Sequence, residues 1–278
     1  MKIGIVGLGL MGGSIAMKLR DTHEIHAYDL NAEALQYAVS NRLIHRAHQT
    51  PGDFFAAIEV CYLCLYPKSV IEFTKRYQHL AKPNTIFIDI SGVKGKLIEA
   101  ISPWLRADID FVFTHPIAGR EKIGVAHAKS SIFLGANYII TPTPANRLEA
   151  IEVATNLAKQ LGFETITSTT ADNHDDVISY TSQLTHVLSL ALVSSENIED
   201  DLANFIGDSY RDLTRIAMIN EPLWSELFIE NKDHLLAKIS HFQTTLEKYK
   251  NAIEQDDSNA LEALMREAKR KRSAIERG

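Results

Sequence analysis

The sequence predicts an α/β protein: a Rossmann-type, doubly wound, mostly parallel sheet followed by an all-helical C-terminal domain. Two observations support this prediction. Up to about residue 167, short β-rich apolar runs alternate with helical patterns, as in parallel sheets covered by helices. After residue 168 the strand patterns stop, and apolar residues recur at helical steps of three and four. The predicted domains are therefore residues 1–167 and residues 168–278.

The individual elements follow from the spacing of the apolar residues. The predicted strands are Lys2–Val6, Glu24–Tyr28, Val60–Leu65, Thr85–Asp89, Phe111–Thr114, Asn137–Thr141 and Glu164–Thr167. Amphipathic stretches between them predict helices, which include Ala32–Ser40, Ser69–His79 and Arg147–Leu161. In the second domain the helical patterns are Leu184–Ile198, Trp224–Tyr249 and Ala260–Ile275.

Composition restricts the class of protein. The chain has 278 residues, of which 45% are hydrophobic, and this suits a globular protein of one large or two medium domains. It contains no run of about 18 uncharged apolar residues, so we expect no membrane-spanning helix. The net charge of −6 argues against nucleic acid as a partner. A strand pattern begins at Lys2, so we expect no signal peptide and a cytoplasmic protein.

Two patterns that suggest metal binding have simpler explanations. Cys61 and Cys64 form a CxxC match inside the predicted strand Val60–Leu65, where an odd spacing sends the two side chains to opposite faces. We therefore expect neither a disulfide nor a metal site, and free thiols suit a reducing cytoplasm. His174 stands beside three acids, Asp172, Asp175 and Asp176. A helix start with N-capping acids explains this run better than a metal cluster.

A glycine-rich turn follows the first predicted strand and opens a helix. In the run Gly7-Leu8-Gly9-Leu10-Met11-Gly12, the first glycine allows a tight turn and the second lets the backbone approach a pyrophosphate. The third glycine allows the helix to pack closely on the strand. Free N–H groups at the helix N-terminus favour an anion there. The sequence therefore predicts a dinucleotide site formed by these residues.

Asp29 ends the second predicted strand, about 20 residues after the turn, where such sites place an acid on the ribose hydroxyls. A carboxylate at this position repels a 2′-phosphate, so NAD is favoured over NADP as the cofactor. The alternative is that Asp29 caps the next helix, ahead of Asn31. Leu65 and Pro67, at the end of the strand Val60–Leu65, are expected to line the nicotinamide side.

His115 follows the apolar run Phe111–Thr114, at the carboxyl end of a predicted strand. Open α/β sheets bind ligands beyond the carboxyl ends of their strands, so this imidazole is expected to face the crevice of the glycine-rich turn. The turn Asp89–Lys94, which contains Ser91, and the cationic segment Tyr210–Ala217 can converge on the same place. A base, hydroxyl donors and an arginine suited to a carboxylate describe a site that oxidises a hydroxylated acid.

With these motifs the sequence resembles the prephenate/arogenate dehydrogenases of tyrosine biosynthesis, and the resemblance covers nearly the whole chain. The matching elements are the N-terminal fingerprint, Val93-Lys94, His115-Pro-Ile-Ala-Gly119, Glu121, Gly124, the Ser182–Leu192 segment around His186, and Asp212-Leu-Thr-Arg-Ile-Ala217. The His-Pro-Ile-Ala-Gly element, followed far downstream by Arg-Asp-Leu-Thr-Arg, is specific to this family.

The resemblance implies the oxidative decarboxylation of a cyclohexadienol. The ring hydroxyl becomes a carbonyl, a hydride passes from the same carbon to NAD, and the ring carboxylate leaves as carbon dioxide. His115 would hold and deprotonate the hydroxyl as a general base, with a reference pKa near 6.5. Arg215 would bind a substrate carboxylate, and His186 and Gln183 would line the same pocket. The substrate is prephenate or arogenate, which differ in a keto or an amino group on the side chain.

Two positions depart from the family pattern. Many relatives carry a serine where this chain has Gly92, and here Ser91 would supply the hydroxyl contact instead. Relatives also often have Ser-His-Leu-Pro-His where this chain has Ser182-Gln-Leu-Thr-His186. The second change lies in the implied substrate pocket and bears on which cyclohexadienol is preferred.

Other interpretations remain open at this point. His186 lies among leucines and also suits a core histidine, while Arg215 could form a surface ion pair with Asp212 or Glu221. Another Rossmann-plus-helical dehydrogenase, such as a 3-hydroxy-acid dehydrogenase, usually places a catalytic lysine on the first long helix of the second domain. The segment Ser179–Leu192 contains no lysine, which argues against that class. A nucleotide-sensing regulator without chemistry is the non-enzymatic alternative.

A long apolar stripe runs along the C-terminal helices at steps of three and four. It consists of Leu227, Phe228, Leu235, Ile239, Phe242, Leu246, Tyr249 and Ile253. A stripe of this length on so small a domain usually needs a partner surface, so the sequence predicts a homodimer formed through these helices. Burial of the stripe inside its own domain is the alternative.

Overall fold

The computed structural model describes residues 1–119, 122–196 and 202–275. Eight strands in these ranges form one sheet: β1 (Lys2–Val6), β2 (Glu24–Tyr28), β3 (Arg46–His48), β4 (Val60–Leu63), β5 (Ile86–Asp89), β6 (Asp110–Ile117), β7 (Asn137–Thr141) and β8 (Thr165–Ser168). Their order is β3-β2-β1-β4-β5-β6-β7-β8, and each neighbouring pair is parallel except β6 with β7. The predicted mostly parallel, doubly wound sheet is therefore confirmed.

Helices connect the strands and then continue without them. The helices up to β8 are α1 (Leu10–Leu19), α2 (Ala32–Ser40), α3 (Pro51–Ala57), α4 (Pro67–Tyr77), α5 (Gly95–Ile101) and α6 (Leu148–Leu161). Those after it are α7 (Ala171–Ile178), α8 (Leu184–Ser194), α9 (Asp208–Thr214), α10 (Glu221–Glu230), α11 (Lys232–Glu254) and α12 (Ser258–Ile275). A π-helical turn, Ser179–Gln183, joins α7 to α8. The described residues after β8 form no further strand, which agrees with the predicted helical C-terminal region.

The strand order reverses at β1, and this reversal positions the candidate site. β1 pairs with β2 on one side and with β4 on the other, so that Ile3 faces both Ile25 and Val60. A reversal of this kind opens a crevice at the carboxyl ends of the two strands, where open α/β sheets bind ligands. The glycine-rich turn after β1 and the residues after β4 both lie at this crevice.

Two apolar clusters cover the two faces of the sheet. One combines β1 residues such as Ile3 and Ile5 with side chains of α1 and α6. The other is rich in aromatic rings, including Phe54, Phe55, Phe73, Phe87 and Phe111. Cys61 belongs to the aromatic cluster and Cys64 packs against the other, which confirms that the two thiols face opposite sides. Both are free, and burial raises the pKa of each thiol, so they are protonated and unreactive.

Three elements differ most from the prediction, while the bounds of several others, such as β4 and α4, shift by one or two residues. β3 was not predicted, because its three residues, Arg46, Ala47 and His48, form no apolar run and are partly or fully exposed. β6 continues past Thr114 to Ile117, because its last residues pair with β7. The predicted helix Trp224–Tyr249 is divided at Asn231 into α10 and α11. The end of the predicted helix Leu184–Ile198 lies outside the described residues.

The chain divides into two compact units, Met1–Asn231 and Lys232–Gly278. The first contains the sheet and the helices up to α10, and the second contains α11 packed against α12. The predicted division at 167/168 marks a change in secondary structure, and its assignment as a functional boundary stays a prediction. Within the described ranges, no helix combines the length and the apolarity that crossing a membrane requires.

Candidate active site

The glycine-rich turn has the shape that its sequence predicts. Gly7 has a φ of +91°, which glycine adopts without steric cost, and a Cβ at Gly12 would lie 2.0 Å from the Gly7 carbonyl oxygen. A Cβ at Gly9, in contrast, would meet no heavy atom within 4 Å. Gly9 is the N-cap of α1 and makes no side-chain cap, so the N–H groups of Leu10 and Met11 are available to an anion.

Asp29 follows β2 directly and supports the turn from one side. Its Oδ2 accepts a hydrogen bond from Leu8 N at 2.6 Å, and its Oδ1 accepts one from Asn31 N at 2.7 Å. The N-cap of α2 is Asn31, whose side chain accepts from two N–H groups of the first turn. The alternative in which Asp29 caps this helix is therefore wrong. A carboxylate has about four acceptor positions, so Asp29 can still accept hydrogen bonds from ribose hydroxyls.

Leu65 and Pro67 lie between β4 and α4, next to the glycine-rich turn. The Leu65 side chain is 3.0 Å from the place where Gly7 would carry a Cβ, and Pro67 begins α4 and is buried. The helical region reaches this segment as well, because Asn220 Nδ2 donates to the Tyr66 hydroxyl at 2.7 Å. The residues predicted for the nicotinamide side are thus placed at the crevice between β1 and β4.

Asp89, at the end of β5, joins the next turn to β6. It is fully buried, and its Oδ2 accepts from Lys94 Nζ at 2.6 Å and from Ser91 N at 2.9 Å. Its Oδ1 accepts from Thr114 N at 2.9 Å, and its carbonyl accepts from Thr114 Oγ1 at 2.6 Å. Burial lowers the pKa of Lys94, and the Asp89 charge opposes this shift. One carboxylate therefore positions both the turn with Ser91 and the residue before His115.

His115 lies within β6, not after it as predicted, but on the part that extends beyond β5. The β5–β6 ladder ends at the pair Ile88–Val112, and beyond this point β6 pairs with β7. The imidazole therefore lies at the carboxyl edge of the neighbouring strands. Its Nε2 faces Gly92, where an added Cβ would lie 3.7 Å from this nitrogen.

The surroundings of His115 disfavour a charged imidazolium. Burial, the neighbouring His174 and the charge of Lys94 together hold the pKa of His115 well below its usual value near 6.5. His115 is therefore neutral at pH 7, the form in which an imidazole can accept a proton.

His174 and Asp175 of α7 contact His115 from behind. His174 Nε2 lies 2.9 Å from His115 Nδ1, and His174 Nδ1 lies 2.7 Å from Asp175 Oδ1. Asp175 also accepts from Lys94 N at 2.9 Å and from Gly95 N at 2.7 Å, which places its carboxylate at the start of α5. The helix start predicted here is confirmed, although its cap is Thr170 and not an acid.

His186 and Arg215 lie on neighbouring segments of the helical region. His186 Nδ1 donates to the Ser182 carbonyl at 2.9 Å, and its ring stacks on Trp224 with 3.6 Å between the ring centroids. Arg215 begins the 3-10 turn Arg215–Ala217, which packs against α8. Arg215 itself is exposed to solvent. The imidazole and the guanidinium thus lie on adjoining elements.

Gln183 has a different place from the one predicted. It is 1% exposed, its Nε2 donates to the Leu227 carbonyl at 3.1 Å, and its Oε1 accepts from Asn231 Nδ2 at 2.8 Å. Asn231 Nδ2 also donates to the Asp175 carbonyl at 2.9 Å. Because one N–H and one lone pair of its amide bind groups within the protein, we interpret Gln183 as a residue that joins helices, in contrast to the substrate-binding role predicted above.

Ser91 and Gly92 form the tip of the turn after β5. Ser91 is 5% exposed, and its Oγ has no hydrogen-bond partner among the described residues. A Cβ at Gly92 would lie 3.3 Å from Leu227 Cδ2, so α10 occupies the space that a side chain at this position would enter. A bound ligand can supply the hydrogen-bond partner that this buried hydroxyl lacks.

Comparison with known protein families decides between the dehydrogenase classes. Residues 15–167 match the model of the prephenate dehydrogenase nucleotide-binding domain, and residues 170–267 match that of the prephenate dehydrogenase dimerization domain. The chain belongs to the prephenate dehydrogenase family. With its glycine-rich fingerprint, it is an NAD-dependent oxidoreductase of tyrosine biosynthesis that acts on prephenate or arogenate.

Individual members of the family resemble the chain over almost its full length. The prephenate dehydrogenase of Bacillus subtilis is 27% identical over 98% of this chain and 75% of that protein. The cyclohexadienyl dehydrogenase of Zymomonas mobilis is 26% identical over 98% of this chain and 95% of that protein. The structure of Aquifex aeolicus prephenate dehydrogenase in complex with hydroxyphenyl propionate and NAD+ has a TM-score of 0.90 at 29% identity, and the match covers 99% of this chain and 98% of that one.

Sequence reasoning missed the groups that support His115. Lys94 was recognised only as part of a family motif, and His174 and Asp175 were interpreted as a helix start. The sequence offered little signal for His174 and Asp175, because they lie in the polar run Asp172–Asp176 and nothing in their neighbours indicates that they are buried. Among the described residues, no group of three His, Cys, Asp or Glu side chains is placed to hold a metal ion.

Proposed function

We propose that His115 is the general base of the oxidative decarboxylation and that the crevice beside it holds the ring of prephenate or arogenate. The observation that carries this proposal is the direction of His115 Nε2, which faces Gly92 at the carboxyl edge of β5. The low pKa of His115 supports it as well, because the imidazole is neutral at pH 7. Glu121, which belongs to the same family motif, lies outside the described residues.

The chain's own residues fit NAD. The open space at Gly9 admits a pyrophosphate, the uncapped start of α1 offers N–H groups to it, and Asp29 has acceptor positions for the adenosine ribose. We assign contacts along this surface to Gly7, Leu8, Gly9, Leu10, Met11 and Gly12, with Leu65 and Pro67 beside the nicotinamide. NAD, when bound, supplies the acceptor for the hydride.

The catalytic contribution of the protein is a proton transfer. The ring hydroxyl of the substrate gives its proton to His115 Nε2, and the hydroxyl oxygen gains negative charge as it does so. This charge weakens the carbon–hydrogen bond on the same carbon. Loss of the ring carboxylate as carbon dioxide then leaves an aromatic ring, which makes the overall reaction effectively irreversible. The Ser91 hydroxyl has no hydrogen-bond partner among the described residues, and it is proposed to form a hydrogen bond with the substrate hydroxyl.

The helical region is proposed to bind the rest of the substrate. Arg215 offers a planar guanidinium that suits a carboxylate that does not react, and His186, stacked on Trp224, lines the same pocket. In this assignment residues 1–167 bind the dinucleotide, and residues 168–278 bind substrate and dimerise. A cytoplasmic location stays a prediction.

A homodimer through the C-terminal helices is proposed from their apolar surface. The predicted stripe is only half buried: Leu246 and Ile253 on α11 are 54% and 62% exposed. The family model matched over residues 170–267 is that of a dimerization domain. We expect Leu246→Glu with Ile253→Glu to shift the molar mass in light scattering from a dimer towards a monomer, and an unchanged mass would refute this interface.

Steady-state assays test the proposed reaction. Rates would be measured from the absorbance of reduced nicotinamide with prephenate and with arogenate, each with NAD and with NADP. We expect turnover of at least one of the two cyclohexadienols with NAD. Absence of turnover with both substrates, in a protein that binds NAD, would reject the proposed chemistry.

A further inference from the structure

The geometry behind His115 assigns a role to two residues of α7. His174 is 1% exposed and Asp175 is 5% exposed, so these groups are held away from solvent. Together with His115 they form a continuous chain of hydrogen bonds, with 2.9 Å between the two imidazoles and 2.7 Å between His174 and Asp175. We call these three residues the His115–His174–Asp175 chain.

The protons in this chain can be placed one after another, beginning at Asp175. Burial disfavours its charge, but the hydrogen bonds from His174, Gly95 N and Lys94 N outweigh burial and hold the pKa of Asp175 below its usual value. An ionised carboxylate can only accept, so the proton between Asp175 and His174 belongs to His174 Nδ1.

The next proton follows from the first. Burial lowers the pKa of His174, so this imidazole is neutral and carries one proton only, the one at Nδ1. Its Nε2 is then an acceptor, and the proton between the two imidazoles must belong to His115 Nδ1. A neutral His115 with a proton at Nδ1 has its lone pair at Nε2, the nitrogen that faces Gly92.

We infer that His174, held by Asp175, is a positioning residue that fixes His115 in the Nδ1–H tautomer, so that the lone pair of Nε2 is directed at the substrate. The kinetic part of this inference depends on the proposed function, whereas the tautomer does not. When His115 takes a proton at Nε2, its Nδ1–H continues to donate to His174. No proton leaves the His115–His174–Asp175 chain. The negative charge of Asp175, on the far side of His174, stabilises the His115 imidazolium.

The charged groups around the His115–His174–Asp175 chain explain why His174 is the residue to test. Lys94 and Asp89 form a buried ion pair nearby, and the Lys94 charge lowers the pKa of both imidazoles. Asp175 has a second structural role, because it also accepts hydrogen bonds from two N–H groups at the start of α5. Replacing Asp175 would therefore change the turn with Ser91 as well, while replacing His174 changes the hydrogen bond to His115.

The tautomer can be measured without any catalysis. Two-bond ¹H–¹⁵N correlation spectra of the full chain, labelled with ¹⁵N-histidine and free of cofactor, distinguish a protonated ring nitrogen from one with a lone pair. Comparison with His115→Asn identifies the His115 signals. We expect His115 to be protonated at Nδ1 and not at Nε2 at pH 7.5. A proton at Nε2 would overturn the inference, whatever reaction the protein catalyses.

Two substitutions at His174 separate positioning from packing. His174→Phe keeps a planar ring but removes the acceptor, and we expect kcat to fall about 10- to 100-fold while KM and NAD affinity change less than threefold. His174→Gln restores an acceptor near the position of Nε2, and we expect it to regain most of kcat and the Nδ1–H tautomer. Equal kcat in the wild type and the Phe variant, or no recovery with Gln in a variant of unchanged melting temperature, would overturn the positioning role.

The protein contains a matched control in a second pair of histidines. His26 Nδ1 on β2 lies 2.8 Å from His48 Nε2 on β3, and three strands, β1, β4 and β5, lie between β2 and β6. His48→Phe removes the same type of contact as His174→Phe. We expect it to change stability only, and an equal loss of kcat in both variants would show that the effect is not specific to His115. If His115→Asn retains full kcat, the proposed function fails, while the measured tautomer still decides this inference.

Discussion

The glycine-rich turn and His115 lie at the same edge of the sheet, but they are built in different ways. The turn is shaped by residues 7–12 and by one carboxylate 21 positions away, through the hydrogen bond from Leu8 N to Asp29. His115 depends on His174, 59 positions away, and the turn with Ser91 depends on Asp175, 80 and 81 positions from its two donors. The nucleotide side is therefore a local structure, and the catalytic side is assembled from distant segments.

The two regions also depend on different forces. Steric limits on the backbone shape the turn, since Gly12 has no room for a Cβ and Gly7 has a positive φ. The catalytic side depends on buried polar groups that need each other, such as Asp89 with Lys94. Removing one partner leaves the other buried and unsatisfied, at a cost of about 1–3 kcal/mol, more for charged groups. Substitutions in the two regions should therefore fail in different ways.

The largest effect is expected from His115→Asn. This change should lower kcat by about 10²–10⁴, the range for a lost general base, while the protein stays folded and its NAD affinity is nearly unchanged. In the wild type the base must be neutral, so kcat/KM falls as the pH drops through the pKa of His115. Because that pKa is held well below 6.5, the acid limb should lie below pH 6.5 and disappear in the variant. A variant with wild-type kcat and the same acid limb would make His115 structural.

Arg215→Ala should raise KM for the substrate more than it lowers kcat. The guanidinium is proposed to hold a carboxylate that does not react, so its contribution is nearly the same in the ground state and in the transition state. Loss of a charged hydrogen-bonded pair costs about 2–4 kcal/mol, or roughly a 30- to 700-fold rise in KM. Steady-state kinetics with the preferred cyclohexadienol measure this. An unchanged KM would place Arg215 in a surface ion pair.

Asp29 should make the protein prefer NAD to NADP by about a hundredfold in kcat/KM. A 2′-phosphate would lie against its carboxylate, and the next two residues are Leu30 and Asn31, not a cation. Repulsion and a lost hydrogen bond together correspond to about 2–3 kcal/mol. Kinetics with both cofactors at saturating substrate test this, and equal values would refute it. Asp29 is an unsuitable residue to replace here, because it also holds Leu8.

The turn can be dissected with Gly9→Ala and Gly12→Ala. A methyl group at Gly9 enters open space, so stability should hold while NAD affinity falls about tenfold, because the pyrophosphate approach is blocked. A methyl group at Gly12 meets the Gly7 carbonyl, so the protein should lose about 1–3 kcal/mol of stability. Urea unfolding and NAD titration distinguish the two. Equal stability in both variants would contradict the steric account of the turn.

The smallest effect is expected on stability at mildly acidic pH. Burial lowers the pKa of His26, His48, His115 and His174 in the folded protein. The unfolded chain then binds more protons below about pH 6.5, so this stability is present above that pH and is lost as the pH falls. Urea midpoints between pH 7.5 and 5.5 should decline. In His174→Gln the decline should be shallower, and a rise in the midpoint on acidification would contradict the assignment.

Parts of the fold that depend on local pattern were predicted closely. β1, β2 and β7 and the helix α2 have the predicted bounds, because their apolar periods and caps lie within the element itself. The extension of β6 through Pro116 could not be predicted, because it depends on pairing with β7. The interruption at Asn231 likewise depends on tertiary contacts, since its amide donates to Asp175 and Gln183.

The sequence by itself determined the fold class, the glycine-rich turn, the acid at the end of β2 and the identity of His115 as the candidate base. Each is encoded by neighbouring residues, because periodicity, glycine sterics and strand ends are properties of short segments. Only the tertiary structure decided which groups support that base. The partners of His115 come from α7, and the burial that lowers its pKa comes from elements far apart in sequence. Burial and long-range hydrogen bonds exist only once the chain is folded, so a sequence pattern cannot specify them.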